Sequence, residues 1–210
     1  MLLPVLILLA VSGTTVCSSC VDGVDNIIQI YDTTEGKGKI SVKDVEIGTY
    51  DKDKNPICAD GKPQITFPGH FKILKGTMEV EEGVNGDQPL RLSISLEKNS
   101  FMVGVVCEKG KSKNSFVPNE MCSFNLCELW SMCNLLRVKT TTSIDIKTLI
   151  KQEYLYLGSI PSPYVSGEWK VSMDLIQGEN VLAGLQLGKL TEWLTVENAE
   201  DDFGKTHQEF

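Results

Sequence analysis

Leu90-Arg91-Leu92-Ser93-Ile94-Ser95-Leu96-Glu97 alternates apolar and polar side chains without a break, the period of a strand with one face buried. Beyond a turn at Lys98-Asn99-Ser100, the residues Phe101, Val103 and Val105 keep the same period. Trp169-Lys170-Val171-Ser172-Met173-Asp174-Leu175 alternates equally cleanly. It then meets Gly178-Glu179-Asn180 and a second apolar run, Val181 to Leu190. A turn signal between two such runs predicts an antiparallel hairpin. Further strand candidates are Gly38 to Ile47, Gln64 to Phe67, Phe71 to Glu81, Lys139 to Ile146 and Tyr154 to Leu157. About eight short strands separated by turn residues predict an all-β, antiparallel sandwich or open β-cup.

Asn125 to Arg137 departs from this period. Leu126, Leu129, Trp130, Cys133 and Leu136 or Arg137 follow helical spacing, which predicts one short helix flanked by cysteines. Its apolar side chains either fill core or line a pocket. From Glu192 onward the chain turns acidic, with Glu197, Glu200, Asp201, Asp202 and Glu209, and loses any sustained apolar period. Residues 192–210 are therefore expected to form a flexible or weakly helical tail behind a single domain at 19–191. A chain of 210 residues suits one sizeable core.

The N-terminal run Met1 to Val11, MLLPVLILLAV, has the length of a signal-peptide core and is too short to span a bilayer comfortably. Small residues follow it, and cleavage is expected after Gly13 or after Ser18, so that 1–18 form the signal peptide. Seven cysteines occur, at 17, 20, 58, 107, 122, 127 and 133. Cleavage after Ser18 removes Cys17 and leaves Cys20, Cys58, Cys107, Cys122, Cys127 and Cys133, an even set suited to three disulfides in an oxidising compartment. Spacing alone leaves fifteen pairings open. The Cys122, Cys127, Cys133 cluster also has the look of a zinc site. Zinc wants a fourth ligand, and the two histidines are His70 and His207, so no metal is expected.

The net charge of −8 argues against a nucleic-acid partner. Catalytic chemistry is sparse. His207 lies in the acidic tail, and His70 follows Pro68-Gly69 in what reads as an exposed turn. No nucleophile elbow, phosphate loop, dinucleotide fingerprint or histidine pair for a metal is present. The chain is read as a non-enzyme without a cofactor. An apolar container fits this poverty of motifs, because burying an acyl chain contributes about 0.8 kcal/mol per CH₂ and needs no special residue.

Several short motifs bear on that reading. Ile160-Pro161-Ser162-Pro163-Tyr164-Val165-Ser166-Gly167-Glu168-Trp169-Lys170-Val171 leads into the last hairpin. Cys107 ends a strand, and Cys122-Ser123-Phe124-Asn125-Leu126-Cys127-Glu128-Leu129 follows. Phe67-Pro68-Gly69 and Leu96-Glu97-Lys98 complete the set. In order and spacing over Gln64 to Leu190, these resemble the ganglioside GM2 activator family, part of the lipid-recognition group related to MD-2. The resemblance implies a β-cup with an apolar cavity that extracts a lipid or glycolipid and presents it to a hydrolase or receptor. It goes with pairing of Cys107 to Cys122 and Cys127 to Cys133. The family's cysteine in the final strand falls near Gly184 here, which leaves Cys20 to pair with Cys58. Between Cys107 and Cys122 lies an insertion with Lys109, Lys111 and Lys113, either a site of transient contact with a membrane headgroup or a solvated loop.

The expected lipid-binding residues are Phe101, Val103, Val105, Leu126, Leu129, Trp130, Ile160, Tyr164, Trp169, Val171, Met173 and Leu175. The competing reading is a secreted interaction module with a filled core. Secretion is the expected destination and the lysosome, by resemblance, the second. The lack of any Asn-x-Ser/Thr sequon favours plain secretion over glycan-dependent lysosomal sorting.

Overall fold

The computed structural model describes residues 20–199, apart from 85, 87, 116, 130–132, 141 and 161–164, and apart from the side chains of 129 and 134. The strands in chain order are β1 (Ile27–Asp32), β2 (Ile40–Asp51), β3 (Cys58–Ala59), β4 (Lys62–Phe67), β5 (Gly69–Val80), β6 (Leu90–Lys98) and β7 (Val105–Glu108). They continue with β8 (Lys111–Ser112), β9 (Ser123–Asn125), β10 (Ile144–Asp145), β11 (Leu155–Leu157), β12 (Gly167–Gln177), β13 (Asn180–Leu187) and β14 (Leu194–Asn198). Among the described residues the helical segments α1 (Leu126–Leu129), α2 (Cys133–Leu136) and α3 (Ile146–Leu149) interrupt them, with a 3-10 turn at Asn119–Met121. The β class follows the alternation in the sequence. The strand number exceeds the expected eight because β1, β3, β8, β9 and β14, all of six residues or fewer, had no candidate in the sequence.

All fourteen strands join one large sheet. Its spine runs β10-β5-β2-β1-β13-β12-β14-β4-β3, with β6 and its partners β7 and β9 on the other edge of β12. Pairing is antiparallel except between β4 and β14. The predicted β12–β13 hairpin turns at Gly178-Glu179, and Gly178 takes the left-handed conformation (φ +61°) that a two-residue hairpin turn demands.

Two devices keep the apolar side of the long β2–β5 pair facing one way. In β2 the register shifts between Lys43 and Ile47, so that Ile40, Val42, Val45 and Ile47 share a face despite the odd step. Opposite it, Gly76 adopts φ +139°, where an added Cβ would lie 2.7 Å from Val45 Cγ2. A bulge with glycine is thus required there, and Phe71, Ile73, Met78 and Val80 stay on one side.

Buried side chains gather at the two ends of the long strands. At one end Ile28, Ile47, Ile65, Leu187, Leu194 and Val196 pack together, β4 and β14 closing over β1, β2 and β13. At the other, Leu126, Cys133 and Leu136 cover Ile40, Val80, Leu90, Leu175 and Leu182, with Ile146 and Leu149 packed alongside. Here α1 and α2 are tied by the Cys127–Cys133 disulfide and pinned by the apolar contacts of Leu126 and Leu136. The other disulfides are Cys20–Cys58 and Cys107–Cys122. All three pairings match the expectation.

Several expectations are corrected. The flexible tail does not begin at Glu192. Leu194–Asn198 is a strand between β4 and β12, with Leu194 2% and Val196 5% exposed. Lys139 to Ile146 is not a strand beyond Ile144–Asp145. It lacks an apolar face, and the Asp145 carboxylate caps α3 by accepting from the Lys147 amide at 2.9 Å. His70 is not in an exposed turn but in β5, buried. The N-terminal run and residues 200–210 lie outside the described residues. Replacing Leu194 by Ala should cost about 2–5 kcal/mol in denaturant unfolding; a loss under about 0.5 kcal/mol would return this segment to the tail.

Candidate functional site

Directly paired residues in a sheet point to the same face, so the register traces one apolar wall through the molecule. Leu92, Ile94 and Leu96 of β6 face Leu175, Met173 and Val171 of β12. These in turn face Ala183, Leu185 and Leu187 of β13. Leu187 faces Ile30 of β1, Ile30 faces Val45 of β2, and Ile47 of β2 faces Ile73 of β5. Phe71 of β5 faces Leu155 of β11. The wall crosses seven strands without a charged side chain at any of these paired positions.

Its degree of cover is uneven. Leu187, Ile47, Val45 and Leu175 are buried, whereas Leu92, Ile94, Leu96, Val171, Met173, Leu185, Ile30, Ile73, Phe71 and Leu155 are half-buried. A filled sandwich brings such inward positions close to zero exposure, because each fully buried Leu, Ile, Val, Phe or Met contributes roughly 1.5–3 kcal/mol. Here the side chains rest on the buried clusters while part of each surface stays uncovered. The partly uncovered positions follow one face from β6 to β11.

The sequence-derived candidates divide against this wall. Val171, Met173 and Leu175 stand on it. Trp169 begins it, its indole Nε1 donating to the Val165 carbonyl at 2.6 Å, and it packs between the wall and the Cys107–Cys122 bridge. Val103 packs against that bridge as well. Leu126 lies in the closed core at the far end. Ile160 is half-buried, its carbonyl accepting from the Asn198 side chain. Phe101 and Val105 are turned to solvent, at 107% and 43% exposure, so neither lines the wall. The period carried them inward only because it ran through a turn, and Val105 pairs Glu97 on the outer face. Trp130, Tyr164 and the side chain of Leu129 are outside the described residues. Sequence reading missed β1, and it gave β2, β5 and β11 as strands without assigning their Val45, Ile47, Phe71, Ile73 or Leu155 to the site.

Two hollows open elsewhere. One of about 350 Å³ is lined by Glu79, Glu81, Lys139, Thr140, Thr142 and Ser143 among others. The second, about 330 Å³, joins Val24, Ile27, Ile28, Pro63 and Leu194 to Gln29, Glu46, Lys189 and Glu192. The carboxylates, lysine and hydroxyls of the first suit an apolar ligand poorly, whereas the second has a mixed lining.

His70 and Tyr50 are held by neighbouring groups. His70 Nδ1 lies 2.9 Å from the Asp51 carbonyl, and its ring meets Tyr154 and Tyr156. Tyr50 donates to Asp22 at 2.8 Å, and burial together with that carboxylate pushes its hydroxyl up to about 12. Among the described residues no three metal-ligating side chains gather, and no helix is long and apolar enough to cross a membrane.

No protein-family model matches the chain, and no curated protein matches it.

On the outer face of β12, burial raises the Asp174 carboxyl above the ordinary carboxylate range, partly offset by Lys109. The folded state therefore holds this proton more tightly than the unfolded chain. Its contribution to stability falls as pH rises from the ordinary carboxylate range through the raised value. Asp174→Asn should raise the melting temperature at neutral pH, with the gain vanishing near pH 3. A variant less stable than the parent at neutral pH would contradict this assignment.

Proposed function

We propose that this protein is a secreted, non-enzymatic lipid carrier that holds the acyl part of a lipid or glycolipid against the apolar wall of β6, β12, β13, β1, β2 and β5. The observation that carries the reading is the half-buried state of that wall between two closed apolar ends. An acyl chain laid across it would complete the burial that the protein's own side chains leave unfinished, at about 0.8 kcal/mol per CH₂. Three disulfides are compatible with an oxidising, extracellular compartment. The resemblance of Gln64 to Leu190 to the ganglioside GM2 activator family points the same way, with delivery to a hydrolase or receptor, in the extracellular space or the lysosome, as its natural extension.

Titration with a monomeric fluorescent fatty acid tests this. The protein should bind the probe at about one equivalent, and Met173→Glu, which sets a charge in mid-wall, should weaken binding by at least about tenfold. A parent protein that takes up no probe would leave the wall to a protein partner and refute the carrier.

A further inference from the structure

β11 is an edge strand, and among the described residues β5 is its one strand partner. Its outer side carries Tyr156, 64% exposed, whose ring lies 5.4 Å from that of His70. Beside it Tyr154 stands edge-on to Tyr50 at 5.2 Å. Lys54 Nζ and Lys72 Nζ lie 4.9 and 5.1 Å from the Tyr154 ring centroid. Lys72 also pairs with Glu153 at 2.7 Å, and Lys72 first, then Lys54 and Lys147, hold that carboxyl below the ordinary carboxylate range. Three lysines thus gather on one exposed carboxylate in a chain of net charge −8. The acids next to them are engaged. Asp51 accepts from the Asp53 and Asn55 amides, and Asp145 from the Lys147 amide.

We propose that the acidic run Glu200-Asp201-Asp202, with Phe203, docks on the Lys54, Lys72 and Lys147 cluster and on the Tyr156 ring, strapping the edge strand β11. The run follows β14 directly, and the end of β14 is anchored. The Asn198 amide donates to the Ser166 hydroxyl at 3.0 Å, and its side chain to the Ile160 carbonyl at 3.0 Å. Asn198 pairs with Phe67, three residues before His70, which in turn pairs with Tyr156. Three residues span about 10 Å and the five from Asn198 to Phe203 about 17 Å at full extension, so the run starts within reach of the platform. Exposed ion pairs are individually weak. A tether of a few residues, however, supplies an effective concentration on the order of millimolar, which a separate acidic partner lacks. Opposite charge provides the complementarity, and Phe203 would cover a ring that water reaches. An edge strand covered in this way is also guarded against pairing with another chain. The inference concerns the outer face and stands apart from the carrier reading.

Zero-length carbodiimide coupling of the full chain in dilute solution, followed by peptide mapping, tests the strap. Coupling of Lys72 to Glu153 reports that the reagent has acted. Within single molecules an isopeptide should join Glu200, Asp201 or Asp202 to Lys54, Lys72 or Lys147. Its yield should fall at least about fivefold in about 1 M sodium chloride, where the Debye length is about 3 Å. A run that couples to other lysines, only between molecules or not at all, or with a yield that salt leaves unchanged, overturns the proposal. Amide hydrogen exchange gives a second readout. The full-length variant Asp201→Asn, Asp202→Asn, Phe203→Ser should exchange at least about threefold faster at Leu155–Leu157 and at the parent rate in β6 and β12. Exchange at the parent rate in β11 also overturns it.

Discussion

The register of β12 is the constraint on which the rest depends. From Trp169 opposite Lys98 to Gln177 opposite Leu90, β12 is paired continuously with β6, and on its other edge with β13 and β14. A slip of one residue along either edge would turn Val171, Met173 and Leu175 outward and bring Lys170, Ser172 and Asp174 to the wall. Pairing on both sides fixes the parity, and β13, β1, β2 and β5 inherit it in turn. The Gly76 bulge and the register shift in β2 preserve that parity where the strands are longest.

The two ends of the wall are closed by different means. At one, β14 returns to pair with both β12 and β4, so the last described strand locks the fold through Leu194 and Val196. At the other, the helical segments held by Cys127–Cys133 supply Leu126 and Leu136. Between them Ile30, Ile73, Val171 and Met173 pack against the first cluster yet stay half-buried. The unfinished burial there is a cost in folding free energy that an apolar ligand would recover, which links the architecture to the carrier reading.

Much of the fold was legible in the sequence where side chains alternate over many residues. β6 and the β12–β13 hairpin are visible from periodicity because one of their faces is apolar throughout. β14 was hidden because its apolar positions, Leu194 and Val196, are two residues among acidic neighbours. β1 begins with Ile27-Ile28, adjacent apolar residues that match no clean period. Of the site, Val171, Met173 and Leu175 were legible for the same reason as their strand. Phe101 was misplaced because periodicity cannot see a turn, and the closed Ser100–Gly104 backbone overrides it. The pairing of β11 with β5 brings Leu155 to the wall across a long sequence separation, and no local signal encodes that contact.

The central claim is that a lipid completes the wall. Native mass spectrometry of the protein secreted from cells, with extraction and identification of whatever departs on activation, tests it most directly. The account predicts a population carrying an added mass that resolves on extraction into acyl-chain lipids. A protein that flies at its bare polypeptide mass, and stays so after incubation with lipid vesicles, would contradict it.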